Sequence, residues 1–559
     1  MSNEATTSGG SVASGGLPTN GRPPVGERRV GPGPGGGLGG GAAAERGSGR
    51  PPSGSLALVA GNVALGAMVV LSLAIVGIAA SRASILSPPS HIEFPGWMAG
   101  PLGFIGRPLH PGQTALKLIL SFAAGGMFVG YLVVLASVSR LRARVAIGAV
   151  VAIQVIFVLG PPLSLTDAFN YLNYGRMEIV HGLNPYTTIP ALEPPSDPTF
   201  LLSNWHQLLS PYGPLFTIFS FALVPLGVAK AFWALKISLM VANLATLRLV
   251  WRCAELLGRD PLASTLFVGL NPLVVVWGLG GDHNDFFMVF LVMLAFYLLL
   301  EARARRAGVG AVGRHEAAET GELGGAGESG EAGGGGRLAS FLDGAPRPIG
   351  SGEAGPGREF GAGFALIAAV AIKASAGILL PVVLLGAGRR VRVLAGMVAG
   401  AIVLGGASLY AFGLHLPNLA QQSTLTTLAG LPNVVGSVLG LGGENDAMKT
   451  ILDGVLAVAI VACAAWSWRT RRWIAASGVV TLVLLVTLSW ALPWYVLWLL
   501  PLAALARGRG LRAAALALTL YLFLIWMPEM TAVIHAFDYK PSLTRLGQER
   551  QQKTLLLLH

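Results

Sequence analysis

Leu56–Ala80 reads LALVAGNVALGAMVVLSLAIVGIAA, a run without a single charged side chain. As a helix it is long enough to cross ~30 Å of hydrocarbon. Comparable apolar runs recur at 115–139, 145–163, 214–229, 231–250, 261–280, 285–300, 360–386, 393–412, 449–467, 473–490, 494–506 and 511–528. This pattern predicts an all-α polytopic membrane protein, a bundle of about 11–13 transmembrane helices. A chain 53% hydrophobic and only 12% charged is not an ordinary soluble domain. The first run lies behind a Gly/Pro/Ser tract, far from the terminus. It is therefore expected to be a retained anchor rather than a cleaved signal.

Between the runs the chain divides by composition. Residues 1–55 and 302–358 are Gly-rich with scattered charge, and are expected to be disordered cytoplasmic segments. They flank an N-terminal membrane half, 56–301, with outer loops 81–114 and 164–212. A C-terminal half, 359–530, and a tail, 531–559, follow. The net charge of +12 does not imply nucleic acid. Its arginines gather in short turns: Arg140, Arg142 and Arg144; Arg389, Arg390 and Arg392; Arg469, Arg471 and Arg472; Arg507, Arg509 and Arg512. That is the positive-inside pattern, and it places Asp167 and the turn Gly281–Asp285 on the opposite, extracytoplasmic face of the plasma membrane. Two runs depart from simple spans. The short run 214–229, with Pro225 and Gly227, is read as interfacial or re-entrant. The run 360–386, interrupted by AIKASAG at 371–377, is read as a hairpin of short helices. Cys253 and Cys463 offer no disulfide framework.

Chemistry concentrates in Ser164–Tyr186, SLTDAFNYLNYGRMEIVHGLNPY, directly after a span. Polar groups this dense at a bilayer boundary are costly unless they bind or react. Asp167 can act as a general base for a sugar hydroxyl, or simply cap the following helix. The turn DHND at 282–285 offers two carboxylates, an imidazole and an amide. Asp282, His283 and Asp285 can bind a phosphate-linked headgroup or cap a helix. No cofactor is required by these residues; if a divalent cation is used, Mg or Mn, Asp282 and Asp285 are its ligands. Arg176 can grip a phosphate bidentately or pair with Glu178. Lys373 interrupts an apolar run, where an ammonium needs a partner or a wet cavity. Tyr171, Tyr174, Asn184, Tyr186, Trp205, His206, Tyr212 and Trp494 are candidates for sugar or acceptor contact, the aromatic ones equally for an interfacial belt. No GxxxxGK[ST], GxGxxG, HExxH or GxSxG motif is present. A lipid-linked donor therefore suits the chain better than a cytoplasmic nucleotide.

Several short motifs carry a family resemblance, and their shared order gives it weight. They are DAFNYLNYGR at 167–176, GLNPY at 182–186, SPYGPLF at 210–216, Asn271–Pro272, GDHND at 281–285, Lys373 and LPWYVLWLLP at 492–501. Together they resemble the GT-C glycosyltransferases, most closely the actinobacterial polyprenol-phosphate-mannose-dependent α-1,6-mannosyltransferases. The likeness covers about 56–300 and 359–530. It implies a polyprenyl-phosphate-mannose donor, a mannoside or lipomannan acceptor, inversion at the anomeric carbon and outer-face chemistry. It also assigns the base to Asp167 and the second acidic turn to Asp282 and Asp285. One departure is the extra pair of spans, 56–139, ahead of the Asp loop. The competing readings are a polyprenyl-phosphate arabinose transferase of the same superfamily and a lipid or sugar transporter. A transporter would show inverted repeats, and none is evident.

Overall fold

The computed structural model describes residues 53–81, 84, 86, 95–109, 112–319, 357–529, 536 and 539–558, with backbone alone for 53, 54 and 307–319. The tail 1–52 and most of the 302–358 tract lie outside the described residues. Among those described there are helices and no strands.

Helices α1 (Ser53–Ala79) and α2 (Gln113–Ser137) form a hairpin, and α3 (Ala143–Leu159) packs on α1. Gly160 and the following Pro161–Pro162 stop α3 short of the end of its apolar run. The polar α4 (Asp167–His181) follows, closed by Gly182 at φ 64°, with Leu183 N–H reaching back to the Met177 carbonyl at 2.8 Å. Next come α5 (Pro214–Leu223), α6 (Val228–Leu256) and α7 (Pro261–Gly269). Asp260 caps α7 by accepting from Ala263 N–H. Pro272 cannot donate, so α7 does not continue; a π-helical segment, Leu273–Leu279, resumes at a 46° bend. Helix α8 (Asp285–Glu319) leads to α9 (Gly357–Ile372), α10 (Leu379–Gly386) and α11 (Arg390–Phe412). The remainder is α12 (Leu431–Val438), α13 (Asp446–Thr470), α14 (Trp473–Thr487), α15 (Val496–Leu505), α16 (Gly510–Ile525) and α17 (Arg545–Leu558).

The polytopic all-α class holds. Among the described residues six helices are long and apolar enough to cross a membrane, or seven if the bent pair is one span. The other apolar runs form helices of 10–17 residues, among them 143–159, 473–487, 493–505 and 510–525. Gly160 and Gly227 end two of these helices, and Lys373 separates α9 from the turn before α10.

Lipid tails are as apolar as leucine, so close packing holds such helices together rather than burial from water. Gly396 shows it: a Cβ there would collide with the Phe360 carbonyl, so α9 and α11 meet backbone to backbone. Across the insertion, Arg358 pairs with Glu301 at 2.9 Å and Arg306 pairs with Glu359. These contacts carry α8 past the boundary expected at 301. The tail 531–559 also contains structure, since α17 reaches the outer loop, where Gln207 N–H donates to the Leu557 carbonyl at 3.1 Å.

Candidate active site

The two acidic stretches meet at backbone level first. Leu163 N–H, just after α3, donates to the Gly280 carbonyl at 2.8 Å. That bond fixes the start of α4 beside the turn 281–285, where Asp282 takes φ 59°, a conformation Asp tolerates better than most residues. Side chains complete the join. Asp167 is the first residue of α4, and its Oδ2 lies 2.9 Å from His283 Nδ1. Tyr171, one turn along α4, accepts from the Asn284 amide at 3.3 Å. The His283 ring stacks on Trp494, with centroids 3.4 Å apart and planes 8° from parallel.

Beside this dyad, Asp285 Oδ1 accepts from Lys373 Nζ at 2.9 Å and from Trp498 Nε1 at 2.6 Å. Lys373 also lies over the rings of Tyr495 and Trp498, at 4.6 and 5.1 Å. Local structure explains its position: α9 ends at Ile372, and Lys373 adopts an extended conformation before the next helical turn. Gly213 N–H, at the end of the outer loop, donates to the Ile372 carbonyl at 3.0 Å, and a Cβ on Gly213 would strike Ala371. Tyr171 and Tyr495 each lie within electrostatic reach of both Asp167 and Asp285. Solvent reaches only two of the four side chains: Asp167 and Lys373 are 15% and 17% exposed, His283 and Asp285 1%. The arrangement offers an accessible carboxylate oriented by an imidazole and an accessible ammonium held by a buried acid. A partly exposed carboxylate and a partly exposed ammonium are thus each held by a buried residue of the same 281–285 turn.

Asp282 takes a different direction. It lies 3.7 Å from Lys236 of α6, which is wholly buried and donates to the Gly160 carbonyl at 2.9 Å. The two acids of the turn thus face separate lysines. Among the described residues no group of three or more His, Cys, Asp or Glu side chains is arranged to hold a metal ion.

Arg176 does not join the dyad. Nine residues beyond Asp167 it emerges on the other side of α4, where its Nε lies 3.0 Å from both oxygens of Asp197. His181 Nε2 completes this outer-loop triad, 2.8 Å from Asp197 Oδ2. The protein partner of Arg176 is Asp197 rather than Glu178. Burial alone would raise the Asp197 carboxyl, but Arg176, the Thr199 amide and His181 bring it down to about 2. Nearby Glu193 goes the other way, pushed up to about 8 by burial and by the Asp197 charge.

Most proposed sugar contacts satisfy the protein's own backbone. Tyr174 and Tyr186 hydroxyls donate to the Leu208 and Tyr212 carbonyls, each at 2.8 Å. Asn184 donates to the Phe412 carbonyl at 2.9 Å, tying the outer loop to the end of α11. His206 stacks on Phe200 and bonds Ser203. Tyr212 packs edge-on against Tyr171. Trp205 remains partly exposed, edge-on to Trp490. Trp494 is buried, its indole N–H without a partner. The sequence reading missed Lys236, although it carries the signal that marked Lys373, a lysine inside an apolar run. Asp197 gave no such signal within its Pro/Ser-rich loop.

Comparison with known proteins meets this geometry. The family described as "Alpha-(1->6)-mannopyranosyltransferase, N-terminal domain" matches residues 63–389, more than half of the chain. One described as "MptB C-terminal domain" matches residues 425–539. The chain is 27% identical over 412 residues to an alpha-(1->6)-mannopyranosyltransferase A of Mycobacterium tuberculosis, covering 66% of this chain and 67% of that protein. Its counterpart in Corynebacterium glutamicum is 30% identical over 160 residues, 27% of this chain and 31% of the relative. A probable alpha-(1->6)-mannopyranosyltransferase of Mycolicibacterium smegmatis is 29% identical over 142 residues, 24% of this chain and 25% of the relative. The chain thus spans about a quarter to two thirds of the length of these relatives. No solved structure matches it. The extent of the first match shows that the chain belongs to the alpha-(1→6)-mannopyranosyltransferase family, whose N-terminal domain carries Asp167, the 281–285 turn and Lys373.

Proposed function

We propose that this protein transfers mannose from a polyprenyl-phosphate donor to the 6-hydroxyl of a mannoside acceptor of the lipomannan type, with inversion. One observation carries the reading: the 2.9 Å contact of Asp167 with His283, beside the Lys373–Asp285 pair. His283 orients the carboxylate through one oxygen and leaves the other for the acceptor. As the acceptor O6 attacks the anomeric carbon, its proton passes to Asp167 and the carbon–phosphate oxygen bond breaks. The electron pair leaves on polyprenyl phosphate. Lys373 meets the charge growing there, and stabilisation confined to that moment accelerates the step. Trp498 N–H keeps Asp285 partnered when the ammonium turns to the phosphate.

A small apolar hollow of about 20 Å³, lined by Met288, Val292, Ser375, Leu379, Leu484 and Trp498, starts beside that pair on the lipid side a prenyl donor would approach from. The positive-inside rule supports an extracytoplasmic site, because the turns at Arg140–Arg144 and Arg389–Arg392 lie at the other end of the helices. Asp282 and Asp285 face separate lysines rather than a common Mg or Mn, so the positive charge is assigned to Lys373. Purified protein given labelled polyprenyl-phosphate mannose or arabinose, with short mannosides, tests the reading. Mannose-only transfer into α-1,6 product is expected. Arabinose-only transfer would overturn the sugar, and loss of turnover with chelator would favour the metal over Lys373.

A further inference from the structure

At the other end of α10 and α11 lies a feature the proposed transfer reaction does not use. Gly388, Arg389, Arg390, Val391, Arg392 and Arg471 line an open cavity of about 550 Å³. Four guanidinium groups around one hollow repel each other, so the surroundings should supply anions. The carboxylate seen near them is Glu359, 3.9 Å from Arg392, and it is already paired with Arg306. Arg471 donates to the Ala387 carbonyl at 2.5 Å and closes the end of α10. Arg390 donates through Nε to the Leu385 carbonyl at 3.1 Å and lies over Trp468 at 5.7 Å, while its Nη2 is buried without a partner. Arg389 is exposed, with no ion pair among the described residues. Two of the arginines are thus anchored by carbonyls that leave their charge uncompensated, and the other two face the opening. The cavity also sits at the N-terminus of α11, whose dipole adds positive potential.

Its position says where an anion would come from. The cavity lies between the start of α11 and Arg471, the residue that ends α13. Among the long apolar helices these two are the least covered by protein, only 28% and 17% buried, so lipid reaches the hollow from the side. Helix α11 runs ~35 Å from here to Phe412, whose carbonyl holds the outer loop. The hollow therefore faces the leaflet opposite the candidate active site.

We propose that this cavity binds a phosphate-bearing anion, supplied by an acidic phospholipid headgroup of that leaflet. Guanidinium forks match phosphate oxygens bidentately, and basic hollows between spans at a membrane surface are suited to such headgroups. The test uses the full chain in phosphatidylcholine nanodiscs, read by native mass spectrometry and by thermal unfolding. Phosphatidylglycerol is titrated in one arm and inorganic phosphate in another. The lipid should be retained and should raise Tm by several degrees, and Arg389→Gln/Arg392→Gln should weaken retention at least tenfold. Both positions face the opening, so the variant should keep the size-exclusion profile of the parent; Arg389→Lys/Arg392→Lys should recover part of the binding. Stabilisation by inorganic phosphate alone, lost in the Gln variant, would support the anion site and assign it to a soluble phosphate. Equal retention of phosphatidylglycerol by parent and Gln variant, or no preference over phosphatidylcholine, would overturn the proposal.

Discussion

Two lysines inside apolar runs, Lys236 and Lys373, each face one acid of the same four-residue turn, yet they serve different ends. Lys236 is fully buried, bonded to the Gly160 carbonyl and set against Asp282. Lys373 touches buried Asp285 while its head reaches the pocket over two aromatic rings. The first pair holds the turn to α6 and the end of α3. The second offers a charge to whatever enters. The two ion pairs differ in exposure: neither partner of the first reaches solvent, whereas the Lys373 side chain is 17% exposed.

The largest expected effect comes from the buried pair. Lys236→Met leaves the buried Asp282 without its partner, and should cost about 3–5 kcal/mol of stability. Adding Asp282→Asn, which tolerates the left-handed backbone, should recover most of it in thermal unfolding. No recovery would mean that Lys236 acts through packing alone. Lys373→Met should cost less stability than Lys236→Met, because Trp498 still bonds Asp285, while turnover falls roughly 10²–10³-fold. A large loss of stability with normal turnover would reverse the two roles.

A smaller effect is expected in the outer loop. Glu193 has its carboxyl raised from 4.5 to about 8 in the folded protein. Folding therefore favours its protonated form, a contribution present in full below pH 4.5 and lost as pH rises through about 8. Stability of the loop, followed by limited proteolysis, should decline across that window, and Glu193→Gln should flatten the decline. An unchanged slope in Glu193→Gln would assign the decline to another group.

Apolar runs were legible because length and absence of charge suffice to mark them. Helix ends were less so. The bend after Gly269 needed Pro272 to be read with the π-helical segment beyond it, and α3 stops at Gly160 although apolar sequence continues. In the site, Asp167 and DHND announced themselves as acids at a membrane boundary, and the two stretches do meet, through the contact of Asp167 with His283. Arg176 failed for a geometric reason: nine residues along a helix is half a turn out of phase, and its partner Asp197 is distant in sequence. The aromatics of 164–212 look like sugar contacts by type alone, but whether a tyrosine hydroxyl meets a ligand or a backbone carbonyl depends on tertiary structure.

The proposed transfer depends on Asp167 as the base beside the 281–285 turn. Single turnover of purified Asp167→Asn, with polyprenyl-phosphate mannose and a short mannoside at saturation, tests this most directly. Donor binding and thermal stability should match the parent while transfer falls by three orders of magnitude or more. Transfer within a few-fold of the parent would contradict the assignment and, with it, the role given to the pocket.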